Sequence, residues 1–190
     1  MLRFLMGFVS AVVVIALGAL SYVRFGFVDP RADAPISGLE ERIAMPSLDA
    51  SVARRAADTI NPVNSNDANL TAGMKIYQTH CASCHGDVNH PHAMLAKAFY
   101  PRAPQFAEDP PDMPENQNFY VIQHGIRLSG MPAWGQSLSE QQIWEVTIFL
   151  SHMDKLPSEV SDQWRAEAAI TDAAGSSSHA SATNKQSPMK

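Results

Sequence analysis

The chain has 190 residues, 45% hydrophobic and 17% charged, with a formal net charge of −5. That length accommodates one ordinary domain plus extensions, because a single core takes on the order of 100 to 150 residues. The acidic balance excludes a basic nucleic-acid surface, and much of the apolar content is gathered at one end.

That end is the N-terminus, where FLMGFVSAVVVIALGALSYV, Phe4 to Val23, carries no charge. Twenty helical residues at about 1.5 Å each match a hydrocarbon core of about 30 Å, so residues 1–24 are expected to be a transmembrane anchor in a lipid bilayer. A cleaved signal peptide is the competing reading. Its apolar region usually runs about 7 to 15 residues before a small-residue cleavage site, and only weak candidates such as Ala16-Leu17-Gly18 are present. Arg3 and Arg24 flank the run and bias its orientation only slightly. No cysteine follows at the position where a lipid could be attached. Both readings export the rest of the chain.

Residues 25–66 contain Pro30, Pro35, Pro46 and Pro62, which interrupt any continuous element. They read as a Pro/Ala-rich tether with one short helix, Ser47 to Asp58, where Leu48, Val52 and Ala56 recur at spacings of four. Residues 67–157 read as a compact helical domain. LTAGMKIYQTHC places Leu70, Met74 and Tyr77 on one face of a first helix that delivers the cysteines. A second helix covers NQNFYVIQH and ends at Gly125, suited to a left-handed conformation past a helix end. A third opens on the SEQQ capping box at Ser139 and runs through Met153 to a stop at Lys155 and Pro157. No strand pattern is evident, and loops this long need something solid to wrap around. Residues 158–190 hold a helical stretch around Trp164 and then a polar tail expected to be largely disordered.

Both cysteines of the chain lie in HCASCHGD, residues 80–87. Cys81, Cys84 and His85 form the Cys-x-x-Cys-His attachment pattern of c-type haem, in which two thiols join the porphyrin vinyl groups and the histidine ligates iron. Two thiols three residues apart after a helix can reach neighbouring vinyls on one porphyrin edge while the adjacent imidazole swings beneath the ring. A thioredoxin-like redox pair would need a βαβ context that the sequence lacks, and a structural disulfide remains a further use. A zinc site would need His80, His90 or His92 to complete the ligand set. Haem also demands a sixth ligand or an open distal face. Met94, Met113, Met131, Met153 and His124 are the candidates, and Met131 stands out. It lies 46 residues beyond His85 in GIRLSGMPAWG, where Gly130, Pro132 and Gly135 shape an irregular loop that leaves the thioether free to face iron.

Taken together, LTAGMKIYQTHCASCHG, YPRAPQF, HGIRLSGMPAWG and SEQQIWEVTIFL resemble a class I, monohaem cytochrome c domain of a bacterial, membrane-anchored kind, over roughly residues 67–155. The resemblance implies an all-α cytochrome c fold in which the first and last helices cross around a covalent haem, here Gly73 and Tyr77 against Trp144 and Phe149. It also implies one haem c, His85 and Met131 as its axial pair, and a prolyl carbonyl, Pro101 or Pro104, accepting from the His85 ring. Trp134 and Arg127 are candidates for the haem propionates.

A His/Met iron has both axial positions filled and cycles between ferric and ferrous without binding substrate. The expected function is therefore single-electron transfer rather than catalysis by this chain. Donors would be a quinol-oxidising complex or a dehydrogenase, and the acceptor a terminal oxidase. The haem domain would stand on the periplasmic side of the cytoplasmic membrane. The alternatives are a haem-bearing subunit fixed in a membrane dehydrogenase or oxidase complex, and a haem sensor or peroxidase in which Met131 dissociates. Residues 67–157 hold nine acidic and five basic side chains, so no lysine-ringed docking face is evident.

Overall fold

The computed structural model describes residues 1–27 and 29–183, with side chains described as far as Ala173. The described residues are helical, with no strand among them. The chain divides into two compact units, Met1–Ala34 and Pro35–Lys190.

The first unit is the helix α1, Leu2–Arg24, none of whose residues is buried. Among the described residues it is the helix long and apolar enough to cross a membrane, by length and composition. Tyr22 stacks on Phe27 at 5.6 Å where the apolar run ends, the depth at which aromatic side chains favour a bilayer interface. Beyond it Arg31 grips the Asp29 carboxylate, with Nη2 2.8 Å from Oδ2, and holds that carboxyl down at about 2.

In the second unit α2 spans Gly38–Arg55. It begins nine residues before the expected short helix and carries Pro46 inside it. Its start is set by Ser37, whose hydroxyl accepts from Glu40 N, and by Glu40 and Glu41 in the first turn, where carboxylates favour the helix dipole. The end of the expected tether is no free chain. Val52 is buried, Asn61 Nδ2 donates to Glu115 at 2.9 Å, and Asn116 Nδ2 donates to Ala57 O at 2.9 Å.

The core is built on α3, Asp67–His80, and α6, Glu140–Leu150. Asn66 caps α3 through Asn69 N, and Ser139 and Gln142 form the expected capping box on α6. The helices touch at Gly73, where a Cβ would strike Glu145 O and sit 2.9 Å from Phe149 Cβ. Tyr77 packs on Phe149 at 5.5 Å, so the crossing joins Gly73, Tyr77 and Phe149 as expected. Trp144 does otherwise. It stacks on Phe119 at 3.9 Å, in α5, Glu115–His124, because it lies on the flank of α6 turned toward that helix. Helix α6 ends at Leu150, and Met153 falls in a separate 3₁₀ turn, Met153–Lys155.

The domain does not close at residue 157. Helix α7, Ser158–Thr183, follows, with Val160, Trp164 and Ala168 buried. Trp164 meets Tyr77 edge-on at 6.0 Å and Phe149 at 5.2 Å, and its indole N–H donates to Gln78 at 3.1 Å. Burial of these side chains orders the helical stretch expected around Trp164, and the helix runs on into the segment expected as disordered tail. The rest of that expected tail, residues 184–190, lies outside the described residues.

Candidate functional site: two thiols, an imidazole and a methionine loop

Helix α3 runs into a one-turn helix, α4, Ala82–His85. Cys81 N closes α3 on Tyr77 O at 2.8 Å, and His85 N bonds Cys81 O at 2.9 Å, which places both thiols and the imidazole on one tight turn. Gly86 then reverses the chain at φ 79, where a Cβ would sit 2.5 Å from Pro91 O. The buried Tyr77 hydroxyl secures the turn by donating to Gly86 O at 2.7 Å. Beside it Gln78 Nε2 donates to the buried Asp87 carboxylate at 3.2 Å.

His85 is buried, and its Nδ1 lies 2.8 Å from Pro104 O. A carbonyl can only accept, so Nδ1 carries the proton and Nε2 presents its lone pair. Of the two prolines considered from sequence, Pro104 is therefore the one that faces the ring. Burial pushes the imidazole below its ordinary value, opposed by the Pro104 carbonyl, which keeps it neutral and fit to bind a metal. Phe106 lies parallel to the ring at 4.4 Å.

Gln105 is a site residue that the sequence left without a role. Its Nε2 donates to Cys84 O at 3.0 Å and its Oε1 accepts from Ala93 N at 2.6 Å, pinning the 93–105 loop to the turn. The only available signal was its position directly after Pro104 in YPRAPQF.

The two thiols are free, with no disulfide between them. Burial pushes the Cys81 thiol up to about 12, with Cys84 adding to the shift. The histidines that would complete a zinc set go elsewhere. His80 tilts on Trp134 at 5.1 Å, His92 pairs with Glu108 at 3.4 Å, and His90 pairs with Asp172 at 3.3 Å. Among the described residues the one group of three ligand-type side chains within mutual reach is Asp87, His90 and Asp172, and neither cysteine belongs to it.

Met131 is partly buried against the core cluster that also takes Cys81, Phe106 and Trp134. Its loop folds back on the end of α5. Gly125 turns at φ 66, where a Cβ would meet Pro132 C at 2.6 Å and Met131 O at 2.7 Å. Met131 N donates to Ser129 Oγ at 3.1 Å, and Met131 O accepts from Ile126 N at 3.2 Å. Met153 borders the same cluster from its 3₁₀ turn. Met94 is 93% exposed, and His124 is exposed and tilts on Tyr120. Trp134 is half-buried and Arg127 exposed.

The donor set fits a c-type haem: two unpaired thiols at attachment spacing, an imidazole with a fixed tautomer, and a thioether bordering the same core. Residues 68–150 match the family model described as cytochrome C oxidase, cbb3-type, subunit III. No curated protein matches the chain. Among solved structures, a chain of the Kuenenia stuttgartiensis reducing HAO-like protein complex is similar, with 19% identity and a TM-score of 0.40. That likeness covers 48% of this chain and 46% of the other, less than half of each. The attachment turn, the crossed helices and the family match make residues 68–150 a c-type cytochrome domain, a haem c module for electron transfer.

Proposed function

We propose that the chain is a single-electron carrier of a membrane-bound electron-transfer chain, with one haem c joined to Cys81 and Cys84 and ligated by His85 and Met131. The observation that carries this reading is the buried His85 imidazole, tied through Nδ1 to Pro104 O at 2.8 Å beside two free thiols. When bound, the haem supplies a reversible ferric/ferrous couple. His85 contributes Nε2, and Pro104 fixes the ring and raises its basicity. Met131 contributes a thioether, which raises the reduction potential relative to a second histidine and leaves no vacancy for a substrate. Ser129 and Gly125 hold its loop. Helix α1 anchors the chain in the cytoplasmic membrane by a single pass, with the haem domain on the periplasmic side, where covalent haem attachment takes place in bacteria. The donor is a quinol-oxidising complex or a dehydrogenase and the acceptor a terminal oxidase.

A second reading makes the chain a haem-bearing subunit fixed in a membrane dehydrogenase or oxidase complex. Two observations favour it: the matching family is described as a subunit of an oxidase, and the packing of Val52 and Asn61 on the domain shortens the free chain after α1. Copurification of a large subunit with substrate-dependent haem reduction would select this reading.

The test of ligation is a visible spectrum of the purified full chain, dithionite-reduced minus oxidised, beside that of Met131→Ala. A c-type α-band, with a weak thioether-to-iron band in the oxidised form that the variant loses, is expected. A chain that acquires no haem in a strain competent for attachment would overturn the proposal.

A further inference from the structure

We propose that Asp87, His90 and Asp172 form a binding site for a divalent transition-metal ion of the zinc class, which clamps helix α7 to the attachment turn. The site goes beyond the electron-transfer reading and shares no residue with the haem donor set. It joins segments far apart in sequence: Asp87 and His90 lie on the reversal that Gly86 begins, and Asp172 lies on α7.

Its placement follows from the pattern of α7. Val160, Trp164 and Ala168 recur at spacings of four and are buried, and the next step along that face is Asp172. A stripe that buries apolar side chains turn after turn thus ends on a carboxylate, 41% exposed. Opposite it, Asp87 is only 7% exposed. Its Oδ1 accepts from Asn89 N at 2.8 Å and from His90 N at 2.7 Å, and its Oδ2 accepts from Gln78 Nε2 at 3.2 Å. All three donors are neutral amides. Among the described residues no lysine or arginine pairs with Asp87, and the titratable group beside it is the His90 ring, at 3.8 Å. Buried charges are ordinarily paired or bound to a metal.

The His90 imidazole makes this cluster a mixed donor set rather than a gathering of acids. Its Nδ1 stands between the carboxylates, 3.3 Å from Asp172 Oδ1 and 3.8 Å from Asp87 Oδ1, and one ligand atom from each residue lies within 4.8 Å of the others. Zinc–ligand bonds of about 2.0 to 2.2 Å at tetrahedral angles set donors roughly 3.3 to 3.6 Å apart. The Asp172 contact is already at that spacing and the Asp87 contact slightly beyond it. Two carboxylates offset the charge of a dication. One nitrogen with two oxygens suits zinc and its neighbours, whereas calcium takes about six to eight oxygens. The ring is 62% exposed, so water completes the coordination. An ion held in this way contributes folding energy, because the unfolded chain does not bring the three residues together.

The experiment uses the full haem-loaded chain in detergent, without a histidine tag, stripped with a chelator and titrated calorimetrically with zinc chloride. One zinc per chain is expected, with a rise in Tm that calcium chloride does not reproduce. Asp87 also shapes its own turn, so the variants are His90→Ala and Asp172→Asn, both at exposed positions. Each should weaken zinc binding roughly tenfold or more and abolish the rise in Tm, while melting as the unaltered chain does in the presence of chelator. His92→Ala, whose ring pairs with Glu108, should bind as the unaltered chain does. Zinc binding unchanged in both His90→Ala and Asp172→Asn would overturn the site. Absence of binding at millimolar zinc would also overturn it and leave a histidine bridging two carboxylates, and an equal response to calcium would overturn the role given to the imidazole. Failure of the haem reading registers separately, in the visible spectrum of the same samples.

Discussion

Replacing Gly73 by alanine sets two effects of opposite sign against each other. Alanine is the better helix former by about 1 kcal/mol, so propensity alone predicts a more stable domain. Against this, the new methyl would strike Glu145 O and lie 2.7 Å from Glu145 C and 2.9 Å from Phe149 Cβ. Ordinary contact begins near 3.4 Å, and the obstacle is helix backbone, which cannot rotate aside. Helices α3 and α6 must separate at their crossing by more than the roughly 0.7 Å that the Glu145 C contact alone demands, loosening the buried Tyr77–Phe149 pair. Overpacking of this kind costs about 1 to 3 kcal/mol, and a backbone clash belongs at the upper end. The expected net loss is about 2 kcal/mol, or roughly 4 to 8 °C in Tm for a domain of this size. Thermal unfolding of the haem-loaded chain, followed at 222 nm, measures it. A Gly73→Ala variant melting at or above the parent would refute the close crossing.

Two further expectations concern the same core. Trp164→Ala should destabilise the domain by about 3 to 5 kcal/mol, because it empties a buried site and strands the Gln78 carbonyl. A denaturant midpoint unchanged from the parent would mean that α7 is no part of the cooperative unit. Tyr77 gives a pH dependence: burial of its ring and hydroxyl raises the phenol above its ordinary 10.0. The folded chain keeps this proton where the unfolded chain releases it, so the stabilisation is whole below about pH 10 and is lost as the pH rises further. Tyr77→Phe should flatten the fall of unfolding free energy between about pH 10 and 11, and an equally steep fall in the variant would exclude Tyr77 as its source.

Local chemistry made some elements readable in advance. Ser139 and Gln142 spell a capping box, Gly125 supplies the left-handed residue after α5, and Leu70, Met74 and Tyr77 recur on one face of α3. The attachment turn was legible because its chemistry needs Cys81, Cys84 and His85 adjacent in sequence. What stayed hidden depends on distant partners. Pro157 reads as a stop, yet it precedes a helix whose Trp164 is buried by Tyr77 and Phe149. Pro46 reads as a break, yet Ser37 starts a helix that runs through it. The choice of Pro104 over Pro101 required the fold of the 93–105 loop, which Gln105 holds from both ends.

The crossing of α3 and α6 also bears on the order in which the chain can mature. Gly73 and Glu145 stand near opposite ends of the domain, so the contact that closes it must wait for almost all of the intervening sequence. Cys81 and Cys84 precede every residue of α6 and α7. As the chain emerges N-terminus first, its thiols are presented on a strand that cannot yet bury them. The same helix that delivers the thiols becomes inaccessible only when Phe149 and Trp164 arrive, which reserves an interval for covalent modification before folding ends it.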